Sequence, residues 1–332
     1  MSYWSMNRFM NRRSFLASSA ALGAASLPIG SAFAQSSRPI RAIVPFTVGS
    51  GSDITARTVM DKVSSKIGQT IIIENKTGAG GTIGAGYVSK AEPDGEILLI
   101  DSSAHTTVPF FYPKLDYDPV KGFETVASIA TIPLVLITAA SKGYKSAKDI
   151  VTYAQANPGA VTYASGGTGS ATHLPAERFR LQAKFTGVHV PFRGGPDAMR
   201  EVLTGRIDFY FIPVLPALSL IKNGQLTALA VSTNTRCLAL PDVPTLAEAG
   251  YPNADYNFWI GAFAPPKTPS AICDRFHDEI NAVVQSPDLA AKLAGYGAEP
   301  MLMSRAEFDK FLARELEVNG PLIKATGMTV EQ

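Results

Sequence analysis

The chain is 332 residues long, 46% hydrophobic, with 30 Lys and Arg against 28 Asp and Glu, a formal net charge of +2. Arg8, Arg12 and Arg13 stand ahead of residue 35, so the remaining 298 residues carry 27 basic and 28 acidic groups, a net charge of −1. That balance gives no argument for a nucleic acid or an anionic membrane surface as partner, and the length allows one large or two medium domains with well-buried cores.

Asn11-Arg12-Arg13-Ser14-Phe15-Leu16 is followed by a small-residue apolar run from Ala17 to Ile29 and then by Ala32-Phe33-Ala34. The run is short of the about 20 strongly apolar residues of a membrane span, and the small-x-small ending reads as a cleavage signature. Residues 1–34 therefore read as an export signal of the twin-arginine type, cleaved after Ala34, with a general secretory signal as the alternative. This places the protein in the periplasm. Cys237 and Cys273 are the only cysteines. An oxidising compartment permits them to pair, whereas folding in the reducing cytoplasm before twin-arginine export favours two buried thiols.

Ile40–Phe46 reads as a buried strand. Ala56, Val59, Met60, Val63 and Ile67 then recur at helical spacing, with Asp53 at the N-cap position and Gly68 at the stop. Strands at Thr70–Glu74 and Glu96–Ile100 flank a Gly-rich turn and a helix near Ile83–Ala91. This β-α-β-α-β order implies a parallel sheet covered on both faces. A second α/β unit follows: a helix at Ala147–Ala156 capped by Ser146, a strand at Val161–Ala164, a helix through Glu177–Ala183, a strand at Gly187–Phe192, a helix at Asp197–Thr204, and strands at Ile207–Phe211 and Leu226–Ser232. After Phe258–Ala264 come two helical patterns, Ala271–Val284 and Ala306–Lys324, with no sheet of their own, so the chain is expected to return to the first unit. The expected domains are lobe 1 over 35–138 and 256–332, and lobe 2 over 139–255, with crossings near Pro133–Ala139 and Tyr256–Ala264.

Two loops leave the carboxyl ends of strands and open helices, where open α/β sheets bind ligands. The first runs Pro45, Phe46, Thr47, Val48, Gly49, Ser50, Gly51, Ser52, Asp53; the second runs Ser165, Gly166, Gly167, Thr168, Gly169 and on to His173. Glycines admit a ligand close to the backbone, and free N–H groups at a helix start favour an anion. Neither loop holds the Lys of a phosphate-binding loop, so a nucleoside triphosphate is not expected. Gly78-Ala79-Gly80-Gly81-Thr82-Ile83-Gly84 is near a dinucleotide fingerprint, but it follows the second strand and lacks a placed ribose acid; no cofactor is expected. His105, His173, His189 and His277 have no metal-like spacing, and no Gly-x-Ser-x-Gly elbow occurs. His173 either lines the cleft or fixes its loop. Arg193 either meets an anion or sits exposed in a turn, and Trp259 is either core or cleft wall.

Pro45-Phe46 with Gly49 and Asp53, Glu74-Asn75-Lys76 before Gly78–Gly81, Pro93-Asp94-Gly95, Tyr117-Asp118-Pro119-Val120-Lys121, Tyr163-Ala164-Ser165, and the run from Leu240 to Gly250 occur in order over nearly all of the chain beyond residue 34. Together they resemble the substrate-binding proteins of tripartite tricarboxylate transporters, the Bug or TctC family. The resemblance implies a two-lobed α/β periplasmic-binding fold, each lobe a mostly parallel sheet flanked by helices. It also implies a small organic carboxylate gripped between the two loops, often through bridging waters, and delivery to a tripartite tricarboxylate-type permease. A monomer without enzymatic activity is expected; a periplasmic enzyme acting on a small acid is the alternative. The sequence departs from the family where Thr47 and Val48 precede Gly49-Ser50-Gly51-Ser52 in place of consecutive glycines, and at Ile212, where an acidic residue is common. Ser103, beyond the third strand, completes the candidate set. Ile212 and Val48 suggest an acid with an apolar, even aromatic, body; the alternative is that Ile212 points into the core.

Overall fold

The structure is a computed structural model and describes Met1, residues 38–112 and residues 114–326. The export signal and its cleavage point lie outside the described residues.

The first sheet is built on β1 (Ile40–Val44), whose neighbours β2 (Ile71–Asn75) and β3 (Ile97–Ser102) both run parallel to it. Every residue of β3 is buried, as expected of a strand covered on both faces. Beside β3 lie three strands in the order β10 (Phe258–Ala264), β4 (Glu124–Ile132) and β11 (Glu299–Pro300), paired antiparallel. The second sheet has the order β7 (Val188–Pro191), β6 (Thr162–Ser165), β8 (Phe209–Pro213), β5 (Leu134–Ala139) and β9 (Leu226–Val231). There β6 is parallel to both β7 and β8, and β5 is antiparallel to both of its neighbours. Each lobe thus has a parallel group of three strands, and each sheet becomes mixed where the chain crosses from one lobe to the other.

The crossings are side by side. Pro133 separates β4 in the first sheet from β5 in the second, and the return passes through residues 232–257 into β10. Ser232 ties them together: its N–H donates to Leu134 O at 2.8 Å, its hydroxyl donates to Tyr256 O at 2.9 Å, and its carbonyl accepts from Tyr256 N–H at 2.8 Å.

Helix α1 (Gly51–Ile67) buries Ala56, Val59, Met60 and Val63, a stripe at helical spacing, and ends at Gly68 with φ +65°. Its N-cap is Ser50, not Asp53. Ser50 is extended and its hydroxyl accepts from Asp53 N–H, which puts Asp53 at the third helical position, where its carboxylate reaches back to Gly49 N–H. Helix α2 (Thr82–Val88) and the short α3 (Val108–Phe111) follow. In lobe 2, α4 (Ala147–Ala156) starts with a capping box of Ser146 and Asp149. Next come α5 (Leu174–Ala183), α6 (Gly195–Leu203) and α7 (Val214–Lys222). Helix α7 falls between two expected strands where no element is expected; Pro213 is its N-cap and Pro216 lies in its first turn, where proline costs no hydrogen bond. Helices α8 (Ser270–Val284), α9 (Pro287–Ala294) and α10 (Arg305–Thr326) complete the chain, with α8 packed on β4 and α1, and α10 on β4. Trp259 is core: it is fully buried, edge-on to Phe308 and Phe311. Cys237 and Cys273 are both buried and free, and burial raises both thiol pKa values.

Candidate functional site

The carboxyl ends of β1 and β3 in one lobe face those of β6, β7 and β8 in the other. Between them is a cavity with about 420 Å³ of empty space, part of it open to solvent. Lobe 1 contributes Phe46, Gly49 to Ser52, Ser102 and Phe258; lobe 2 contributes Gly166, Ser170 to Thr172, Gly195, Tyr210 and the Ile212, Pro213, Pro216 wall. Among the described residues, no Lys, Arg, His, Asp or Glu lines this inner cavity.

Polarity comes instead from the backbone and from hydroxyls. Gly51 and Ser52 are the first residues of α1, and Gly195 the first of α6; such N–H groups have no intrahelical acceptor and carry the positive end of the helix dipole. The Tyr210 hydroxyl is buried without a hydrogen bond of good geometry; its neighbour is Thr172, which accepts from Gly166 N–H at 2.9 Å and meets Ser170 Oγ at 3.1 Å. Burial pushes the Tyr210 phenol up, so it stays a donor. Neutral donors converging on one cavity suit an anionic oxygen.

The supports of the two loops explain the remaining candidates. Asp53 is buried; burial alone would raise its pKa, but hydrogen bonds from Arg57, Gly49 N–H and Asn75 outweigh that and hold it below the usual carboxylate range. It fixes the first loop from behind and stays ionised. Ser165 does the same for the second loop: its hydroxyl meets His189 Nε2 at 2.7 Å and accepts from Gly167 N–H at 3.1 Å. A serine beside a histidine suggests a nucleophile and base, yet Ser165 is fully buried and does not line the cavity. His173 is fully buried too, stacked on His189 with ring centroids 3.9 Å apart, and its Nδ1 accepts from Gly169 N–H at 3.2 Å. Burial, then the neighbouring His189 and Arg180, depress its pKa, so it is neutral.

Of the sequence candidates, the inner cavity brings together Gly49, Ser50, Gly51, Ser52, Gly166 and Ile212. Thr47 packs on Gly194, where a Cβ would fall 2.0 Å from the Thr47 hydroxyl. Val48 is 64% exposed and points away. Ser103 accepts from the Tyr256 hydroxyl at 2.9 Å, near the crossing strands. Gly167, Thr168 and Arg193 line a separate outer chamber. Sequence reasoning placed Phe46 in the first loop but missed Ser102, Gly195, Tyr210, Pro216 and Phe258. Gly194-Gly195 at the head of a helix pattern, following a strand, was the available signal for a third loop.

The lobes already touch. Thr107 Oγ1 donates to Gly169 O at 2.7 Å and the Tyr112 hydroxyl donates to Thr168 O at 3.1 Å. A Cβ on Gly51 would lie 2.7 Å from Pro213 Cγ. This is a closed arrangement of the two lobes.

Residues 55–328 match the model of the tripartite tricarboxylate transporter family receptor. A relative, the UPF0065 protein of the tcbD-tcbE intergenic region of Pseudomonas sp. (strain P51), is 36% identical over 262 residues, 79% of this chain and 78% of its own. Among solved structures, an R. palustris protein with adipate is 30% identical with a TM-score of 0.84, covering 89% of this chain and 99% of that one. MatC from Rhodopseudomonas palustris, with bound malate, is 27% identical with a TM-score of 0.82, covering 86% and 99%.

Proposed function

The chain belongs to the tripartite tricarboxylate transporter receptor family, and from that premise we propose that it captures a small organic carboxylate between its lobes and presents it to a tripartite tricarboxylate-type permease. The observation that carries this reading is the inner cavity itself, where the starts of α1 and α6 and the unpartnered Tyr210 hydroxyl converge. The chain acts in the periplasm, exported by the signal at its start and cleaved after Ala34. It works as a monomer and a receptor, not an enzyme. The solved relatives that hold malate and adipate support the ligand class.

The cavity also favours a ligand type. An ammonium group would need an acid or carbonyl partner, since burying an unpaired charge costs several kcal/mol, and no acidic residue lines the cavity. Phe46, Phe258, Ile212, Pro213 and Pro216 offer an apolar wall to a hydrocarbon or aromatic body. Val48 adds nothing to that wall, being turned to solvent. The ligand is therefore an acid with an apolar body, not an amino acid. A thermal-shift panel of aliphatic and aromatic mono- and dicarboxylates, citrate and amino acids tests this. Stabilisation by apolar-bodied acids is expected; stabilisation by glutamate or citrate alone would refute it.

A further inference from the structure

Adjoining the inner cavity, and sharing Phe46 and Gly166 with it, is an outer chamber with about 660 Å³ of empty space, part of it open to solvent. One wall is Gly78 to Gly81 of lobe 1; the other is Gly167, Thr168, Phe192 and Arg193 of lobe 2. Gly78, Ala79, Gly80 and Gly81 are four consecutive residues at positive φ, +131°, +46°, +66° and +108°. Such backbone is strained for any L-residue, and strain of this kind concentrates where a site needs it. The strand of chain is also held close: a Cβ on Gly80 would lie 2.5 Å from Thr168 O, and one on Gly81 3.3 Å from the Phe46 ring. The run lets the lobe 1 wall approach the lobe 2 loop without side chains filling the space between.

Charge gives the chamber its chemistry. Among the described residues the inner cavity has no cationic side chain, so these residues can satisfy one carboxylate only with neutral donors. Among the described residues Arg193 is the sole formal charge lining either chamber, and it makes no ion pair or hydrogen bond with them. An exposed guanidinium at the rim of a chamber with a mixed polar and apolar lining suits a second carboxylate, which it can grip with two parallel hydrogen bonds. We propose that the outer chamber is the subsite for the second carboxylate of an elongated dicarboxylate, with Arg193 as its specificity-determining residue. The first carboxylate then occupies the inner cavity, and the hydrocarbon between them passes Phe46 and Gly166. This rests on the carboxylate reading above, and it narrows that reading from acids in general to diacids of one length range.

The test is calorimetry with α,ω-dicarboxylates from succinate to suberate and the matched monocarboxylates from butyrate to octanoate. Wild type, Arg193→Gln, Arg193→Lys and, as a charge control, the exposed Arg200→Gln are compared. The wild type is expected to prefer one diacid over its matched monoacid by at least about tenfold, as one charge-assisted pair would give. Arg193→Gln should bring that ratio close to one while leaving monoacid affinity within about twofold, Arg193→Lys should keep part of it, and Arg200→Gln should keep all of it. An unchanged ratio in Arg193→Gln, or equal losses for diacid and monoacid, overturns the subsite while the carboxylate reading stands. Failure of every acid to bind the wild type overturns both.

Discussion

Replacing Gly51 with alanine separates closure of the lobes from folding. Gly51 opens α1 in lobe 1 and its backbone is ordinary for an L-residue, so alanine brings no strain and, if anything, improves the helix. The obstacle lies across the cleft: a Cβ would be 2.7 Å from Pro213 Cγ and 2.8 Å from Pro213 Cβ, both on a stiff ring at the end of β8. Contacts that short force a shift, and overpacking of this kind costs about 1–3 kcal/mol. With the lobes apart, the cost disappears. A ligand that favours the closed state must then supply that energy, so its Kd should rise roughly fivefold to 150-fold while the ligand-free melting temperature stays within about a degree. Paired calorimetry and thermal melts decide. Unchanged affinity, or a large loss of ligand-free stability, would refute the closure argument.

Tyr112→Phe removes a cross-lobe hydrogen bond to Thr168 O and should weaken ligand binding roughly two- to tenfold, read by calorimetry, with small-angle scattering showing a larger ligand-free radius of gyration. Gly167→Val should abolish binding in a folded protein because φ there is +120°, although the nearest backbone atoms leave ordinary space; Cys237→Ser, away from both chambers, should leave the Kd unchanged. His189 is pushed down to about 4 by burial, so the unfolded chain takes up a proton near pH 6.5 that the folded chain refuses. Stability is full above that pH and falls as the pH drops towards 4, by about 2 kcal/mol at pH 5. A melting curve measured from pH 7 to 5 should fall less for His189→Asn than for the wild type.

The first loop was legible because a buried strand, a Gly/Ser run and a helical stripe follow one another within Ile40–Ile67, so local pattern alone gives its position. Its capping was misassigned because Ser50 and Asp53 are both good caps at compatible spacing, and only the extended backbone at Ser50 decides between them. Tyr210 and Phe258 could not be found that way. Each sits in an apolar strand where side chains alternate between faces, and which face meets the cavity depends on how two sheets distant in sequence are set against each other. Helix α7 is only nine residues long and holds Pro216 in its first turn, where proline is tolerated, so it carries little local signal between its two strands. Val48 shows the reverse error, a loop residue read as cleft wall that turns to solvent.

Stoichiometric capture of an unchanged acid in the cavity between the lobes distinguishes a receptor from an enzyme. The most direct measurement is a calorimetric titration with the best-stabilising acid of the panel, followed by denaturation and mass spectrometry of what is released. One site per chain, the acid recovered intact, and no heat of binding in Gly167→Val are expected. Conversion of the acid to another compound, or undiminished binding in that variant, would contradict the receptor reading.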